Sequence, residues 1–155
     1  MRLSDYLRPD FVALGLEADS KEELLEKMVE LAARNPHVQD RTKVQTAIFE
    51  RVKIMSTGVG KGFAIPHGKT DAVDDIVLSF AVTAQPIDYA SMDNEPVRLV
   101  LLLVSRDNLV GQRLKLLSRA SKVMNNDEAR ESLLHAKSVQ EILDIFRQEE
   151  ERMGD

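Results

Sequence analysis

The stretch Ile76–Val104, IVLSFAVTAQPIDYASMDNEPVRLVLLLV, holds two apolar runs, Ile76–Thr83 and Val97–Val104, on either side of a long polar connection, Gln85–Pro96. Each run is rich in branched side chains and bounded by polar or proline-containing sequence. A short, nearly continuous apolar run of that kind reads as a strand buried on both faces, and both faces then need a cover.

The flanking sequence supplies the cover. Ser20–Asn35 opens with the S-x-x-E spacing of a capping box, Ser20 and Glu23, and repeats apolar residues at Leu24, Leu25, Met28, Leu31 and Ala32, the pattern of an amphipathic helix. A second helix is predicted from about Arg41 to Lys53, capped by Asp40 and carrying Val44, Ala47, Ile48 and Val52 on one side, with Pro36 marking the gap before it. Beyond the second strand, Leu109–Met124 is predicted as a helix with Leu114, Leu117, Ala120, Ser121 and Met124 on its apolar face and Arg113, Lys115, Arg119 and Lys122 decorating it. A short helix over Asp127–Ala136 and another over Ser138–Arg152, with the capping box Ser138 and Glu141, complete the series. Helices, then strands, then helices predict an α/β fold, a sheet covered by helices within one domain of residues 1–155.

Composition narrows the function. The protein has 155 residues, 43% hydrophobic and 30% charged, enough to bury a core and remain soluble. It contains no cysteine, which removes disulfides, thiolate metal sites and cysteine nucleophiles and makes the cytoplasm the expected compartment. No signal peptide or membrane span is expected, and a net charge of -5 argues against nucleic acid as a partner. The charge is uneven: Thr42–Lys69 carries Lys43, Arg51, Lys53, Lys61 and Lys69 against Glu50, whereas Asp127–Asp155 is acidic and reads as a solvated helix face.

Between these features lies Arg51–Lys69, RVKIMSTGVGKGFAIPHGK, whose glycines and proline forbid a continuous helix and suggest turns with one short extended piece. Its glycines fit neither nucleotide fingerprint: Pro66 follows where a helix should open, and Met55 and Gly62 occupy the places where a phosphate-binding loop has glycine and a hydroxyl residue. No G-x-S-x-G elbow is present, and His37, His67 and His135 are too isolated in sequence to predict a metal site. His67 lies between Pro66 and Gly68 in the basic window, where backbone N–H groups could face an anion. An imidazole titrating near neutrality can act as a nucleophile toward phosphorus. A hydrogen-bonded structural histidine is the alternative, and for Arg51 the alternative is an ordinary surface arginine.

The run Arg51–Lys69, an arginine followed by S-T-G-x-G-x-G-x-A-x-P-H, resembles the signature of the fructose/mannitol-type IIA domains of the bacterial sugar phosphotransferase system. LSDYL at Leu3–Leu7 and the D-x-x-P-V pattern within Met92–Val104 extend the resemblance over nearly the whole sequence, most closely to the nitrogen-regulatory type, with a fructose-specific domain as nearest competitor. The resemblance implies a mixed sandwich, a central mixed sheet flanked by helices. It implies that His67 is the phosphoryl acceptor, that Arg51 lies beside it, that Thr57 and the Gly58–Gly62 amides shape the pocket, and that no cofactor is needed. It further implies a histidine-containing phosphocarrier protein as donor and either regulated proteins or a IIB domain as recipient.

One departure stands out. The family usually carries a second histidine in a pattern like H-L-x-x-L; here the stretch is RLKLL, and Arg113 occupies that place. Arginine can neutralise a phosphoryl group but cannot release its proton in the working range. The departure therefore favours a phosphorylation-dependent regulator over a sugar-specific relay to a IIB domain. A binding module that is never phosphorylated is the third expectation.

Overall fold

The computed structural model describes residues 1–54 and 58–154. The two apolar runs form adjacent antiparallel strands, β5 (Val77–Ile87) and β6 (Val97–Ser105), at the centre of a mixed sheet. A strand that the sequence reading misses, β1 (Val12–Leu16), lies parallel to β5. The glycine-rich segment contributes three short strands in place of the one extended piece expected: β2 (Gly58–Gly60), β3 (Phe63–Ala64) and β4 (His67–Lys69). Strand order is β1-β5-β6-β3-β2, with β4 also pairing along β6. Both β3 and β4 run parallel to β6, so Phe63–Lys69 follows one edge of that strand.

Alternation along β5 and β6 explains why their sequences are almost wholly apolar. Leu78, Phe80 and Val82 of β5 and Leu99, Leu101 and Leu103 of β6 face one core, and Val77, Ala81, Val100, Leu102 and Val104 face another. The first core is closed by α3 (Val110–Met124), α4 (Asp127–Leu134) and α5 (Val139–Met153), and includes an edge-to-face contact of Phe80 with Phe146, ring centroids 5.0 Å apart. The second is closed by α1 (Lys21–Ala33) and α2 (Arg41–Ile54). Full burial of one Leu, Val or Phe residue contributes roughly 1.5–3 kcal/mol before ordering entropy is subtracted.

The helix starts follow their caps. Ser20 Oγ accepts the Glu23 N–H at 3.1 Å, Ser138 Oγ accepts that of Glu141 at 3.1 Å, and Asp40 Oδ1 accepts that of Lys43 at 3.2 Å. In both boxes the glutamate reaches one residue beyond the cap, Glu23 to the Asp19 N–H and Glu141 to the Lys137 N–H.

Four expectations are corrected. The buried face of α3 is Leu116, Arg119, Ala120, Val123 and Met124, rotated by about one residue from the predicted face, and Leu114 is 59% exposed. Arg119 is not decoration: its Nε donates to Glu150 Oε2 at 2.9 Å, and its side chain is 7% exposed. Glu150 in turn is wholly buried and also accepts the backbone N–H groups of Leu3 and Ser4 at 2.7 and 2.9 Å, so the acidic terminal helix is not entirely a solvated face. Finally, the polar connection is partly strand: β5 extends to Ile87, and Tyr89 and Ser91 beyond it are buried. For Arg119 and Glu150, partners distant in sequence override local polarity.

Candidate functional site

His67 is the first residue of β4, paired with Leu103 of β6, and its environment is set by its neighbours on both sides. Gly68 faces α2: a Cβ there would lie 3.3 Å from the carbonyl carbon and oxygen of Ala47. The missing side chain therefore lets α2 lie directly on the strand. One helical turn beyond Ala47 stands Arg51, and the close approach brings it to the histidine.

An open cavity of about 640 Å³ results, lined by Thr46, Glu50 and Arg51 from α2, His67 and Lys69 from β4, and Arg113 from α3, among others. The structure thus brings together Arg51, His67 and Arg113, which lie far apart in sequence. Thr57 lies outside the described residues. Of the basic window, Lys43, Arg51 and Lys69 line the cavity while Lys53 and Lys61 do not. His37 and His135 lie elsewhere, paired with Asp74 and Glu131. Among the described residues, no group of three or more His, Asp or Glu residues could hold a metal ion.

The ring of His67 is partly buried and oriented. Its Nδ1 lies 2.9 Å from the carbonyl oxygen of Ile65, an acceptor only, so Nδ1 carries the proton and donates it. The lone pair is left on Nε2. Burial of the ring holds its pKa below the ordinary histidine value; the hydrogen bond to Ile65 opposes this, and the positive charges of Arg51 and Arg113 add to it. A neutral, correctly tautomerised imidazole between two permanent cations can attack an electrophilic phosphorus and is suited to hold the dianionic group that results.

The guanidinium groups differ in how they are held. Arg51 Nε is buried and has no hydrogen-bond partner among the described residues, leaving a free donor beside the cavity. Arg113 is anchored: its Nη1 donates to Ser105 Oγ at 3.0 Å and to the Arg106 carbonyl at 3.3 Å. The sequence reading missed Ser105 and Gly68. HGK adjacent to an apolar strand signals neither a helix contact at the glycine nor a serine within reach of an arginine eight residues on.

Three comparisons with known proteins bear on this site. The family model described as phosphoenolpyruvate-dependent sugar phosphotransferase system, EIIA 2, matches residues 5–149. The fructose-specific EIIABC component of Bacillus subtilis (strain 168) is 32% identical over 148 residues, 96% of this chain but only 23% of that relative's own length. A nitrogen regulatory protein of Bradyrhizobium diazoefficiens is 31% identical over 146 residues, 94% of this chain and 95% of that one. Among solved structures, nitrogen regulatory protein IIA-Ntr from Neisseria meningitidis superposes with a TM-score of 0.88 at 30% identity, covering 93% of this chain and 98% of that one.

Proposed function

Because the chain belongs to the EIIA 2 family of the phosphoenolpyruvate-dependent sugar phosphotransferase system, we propose that it is a phosphocarrier whose His67 accepts a phosphoryl group and whose output is regulatory. The observation that supports this reading is the meeting of Arg51, His67 and Arg113 around one cavity. The donor is a histidine-containing phosphocarrier protein. The lone pair of His67 Nε2 attacks its phosphorus, the new N–P bond forms as the donor's N–P bond breaks, and the donor imidazole leaves with the bonding pair. His67 Nδ1–H stays on the Ile65 carbonyl throughout, so no base is required. Arg51 and Arg113 neutralise the transferred group, and Thr57 is assigned to the same pocket from the sequence pattern alone. Leu114, which lines the cavity, and Val110, one turn before it on α3, are both exposed and give the donor an apolar surface to dock on.

Phosphorylation adds about two negative charges at pH 7 to a basic recess, a change that a regulated partner can read. The alternative, onward transfer to a IIB domain for sugar uptake, draws support from the fructose-specific relative. Intact-mass measurement at alkaline pH after mixing with a phosphorylated donor decides the first step. A gain of one phosphoryl group, lost in His67→Ala, is expected. No gain with a donor active on another IIA domain refutes it and leaves the binding module. Transfer to a IIB partner, slow in the native protein and accelerated in Arg113→His, separates regulator from relay.

A further inference from the structure

We infer that Ser105 is a positioning residue that holds the Arg113 guanidinium at His67, an inference resting on His67 as the reactive group. Across the β4–β6 pairing His67 is opposite Leu103 and Lys69 opposite Ser105, so Ser105 stands two residues along β6 from the histidine's partner, on the same face of the strand. That face is the one covered by α3. Ser105 is wholly buried, and its Oγ accepts from Arg113 Nη1 at 3.0 Å while donating to the Arg106 carbonyl at 3.3 Å. Its own backbone carbonyl accepts the Thr70 N–H at 3.0 Å, which fixes the end of β4 to the same residue. The hydroxyl is thus an immobile acceptor, with its proton committed elsewhere and its lone pair aimed at the arginine.

The consequence lies in the donors left over. Arg113 Nη1 is engaged by Ser105 and Arg106; the Nη2 and Nε hydrogens have no protein acceptor among the described residues, and the group lines the His67 cavity. A long arginine would otherwise sample many rotamers, and anchoring one corner lowers the entropy cost of bringing the rest to an arriving phosphoryl group. The placement suits an arginine in particular: a planar fork can bond behind with one nitrogen and in front with the others.

Ring-carbon NMR titration of His67 in the unphosphorylated protein tests this without any transfer step. Arg51 from α2 and Arg113 from α3 are the charges that act on the ring, and Lys43 and Glu50 from α2 and Lys69 from β4 line the same cavity. Ser105→Ala is expected to move the His67 titration upward, toward the ordinary value, as Arg113→Ala does, and to add nothing in the Arg113→Ala background. A titration that Ser105→Ala leaves in place while Arg113→Ala shifts it overturns the inference, as does an additive double variant. A second readout is the lifetime of the phosphorylated protein, expected to shorten roughly tenfold in Ser105→Ala, the scale of a lost charge-assisted hydrogen bond, and to return with Ser105→Thr. An unchanged lifetime overturns the inference as well. Should the protein take up no phosphoryl group, the acceptor role of His67 fails while the titration still decides the role of Ser105.

Discussion

Replacing Gly68 by alanine tests the packing that brings Arg51 to His67. The new Cβ would meet the carbonyl carbon and oxygen of Ala47 at 3.3 Å and its Cβ at 3.4 Å, so a few tenths of an ångström must be found. Two of the three atoms belong to the backbone of α2, which can retreat only as a helix. Overpacking of this kind costs about 1–3 kcal/mol. The opposing gain, from a less flexible unfolded state, is about 0.4–1 kcal/mol. At the middle of both ranges overpacking wins, leaving a net loss of about 1.3 kcal/mol, or a melting temperature lower by about 3–5 °C for a protein of this size. Moving α2 also moves Arg51, and sub-ångström misplacement at a reacting group should slow phosphoryl uptake by several-fold to roughly tenfold. Urea unfolding and a time course of intact mass measure the two effects. Gly111→Ala is the control: nothing lies within 4 Å of the added Cβ, so it should be neutral or stabilising. A Gly68→Ala protein as stable as the native one, with unchanged uptake, would refute the reasoning, because the close approach would then demand nothing of that position.

Other consequences are equally direct. Arg119→Met strips the counter-ion from the buried Glu150 carboxylate, and the expected loss, about 3–5 kcal/mol by urea unfolding, should exceed that of any surface arginine; a loss below about 1 kcal/mol would contradict the buried-pair assignment. Because burial, joined by the charges of Arg51 and Arg113, holds the His67 pKa below the ordinary histidine value of 6.5, a larger share of the ring is neutral at pH 6.5 than of an unperturbed imidazole, which is half protonated there, and uptake should fall as pH drops through the lowered value. In that interval the unfolded state binds more protons than the folded one, so His67 makes stability fall with decreasing pH; flat uptake down to about pH 5 with a titrating His67 would exclude neutral Nε2 as the nucleophile. Asp93 accepts the N–H groups of Lys61 and Glu95 at 2.9 and 3.0 Å, bonds that hold its carboxyl below the usual carboxylate range. Asp93→Ala should therefore speed amide exchange at Lys61 and Glu95 and leave the β5–β6 amides protected, and in the native protein those two bonds should persist until pH falls through the lowered value.

What the sequence alone determined was whatever depends on neighbours along the chain. The apolar runs of β5 and β6 are legible because a strand covered on both faces has no room for polarity, and the starts of α1 and α5 because a cap acts over three residues. The ordered signature from Arg51 to His67 was legible too, as was the substitution of Arg113. Tertiary structure decided the rest. Short strands such as β2, β3 and β4 have too few residues for a periodic pattern; β3 and β4 exist because β6 offers them an edge, and β2 pairs with β3 in turn. Arg119 and Glu150 look like solvated charges until Leu3 and Ser4 arrive from the other end of the protein. The α3 face rotated because the sheet, rather than the count of leucines, chooses which side is buried, and this turned Leu114 and Arg113 toward the cavity. Gly68 could be read from sequence only as a flexible residue; against Ala47 it is the contact that sets the distance between α2 and β4. The convergence of Arg51, His67, Ser105 and Arg113 belongs to the same class, since a site assembled from several elements is fixed by how they pack, and packing is a property of pairs of surfaces rather than of any one stretch of sequence.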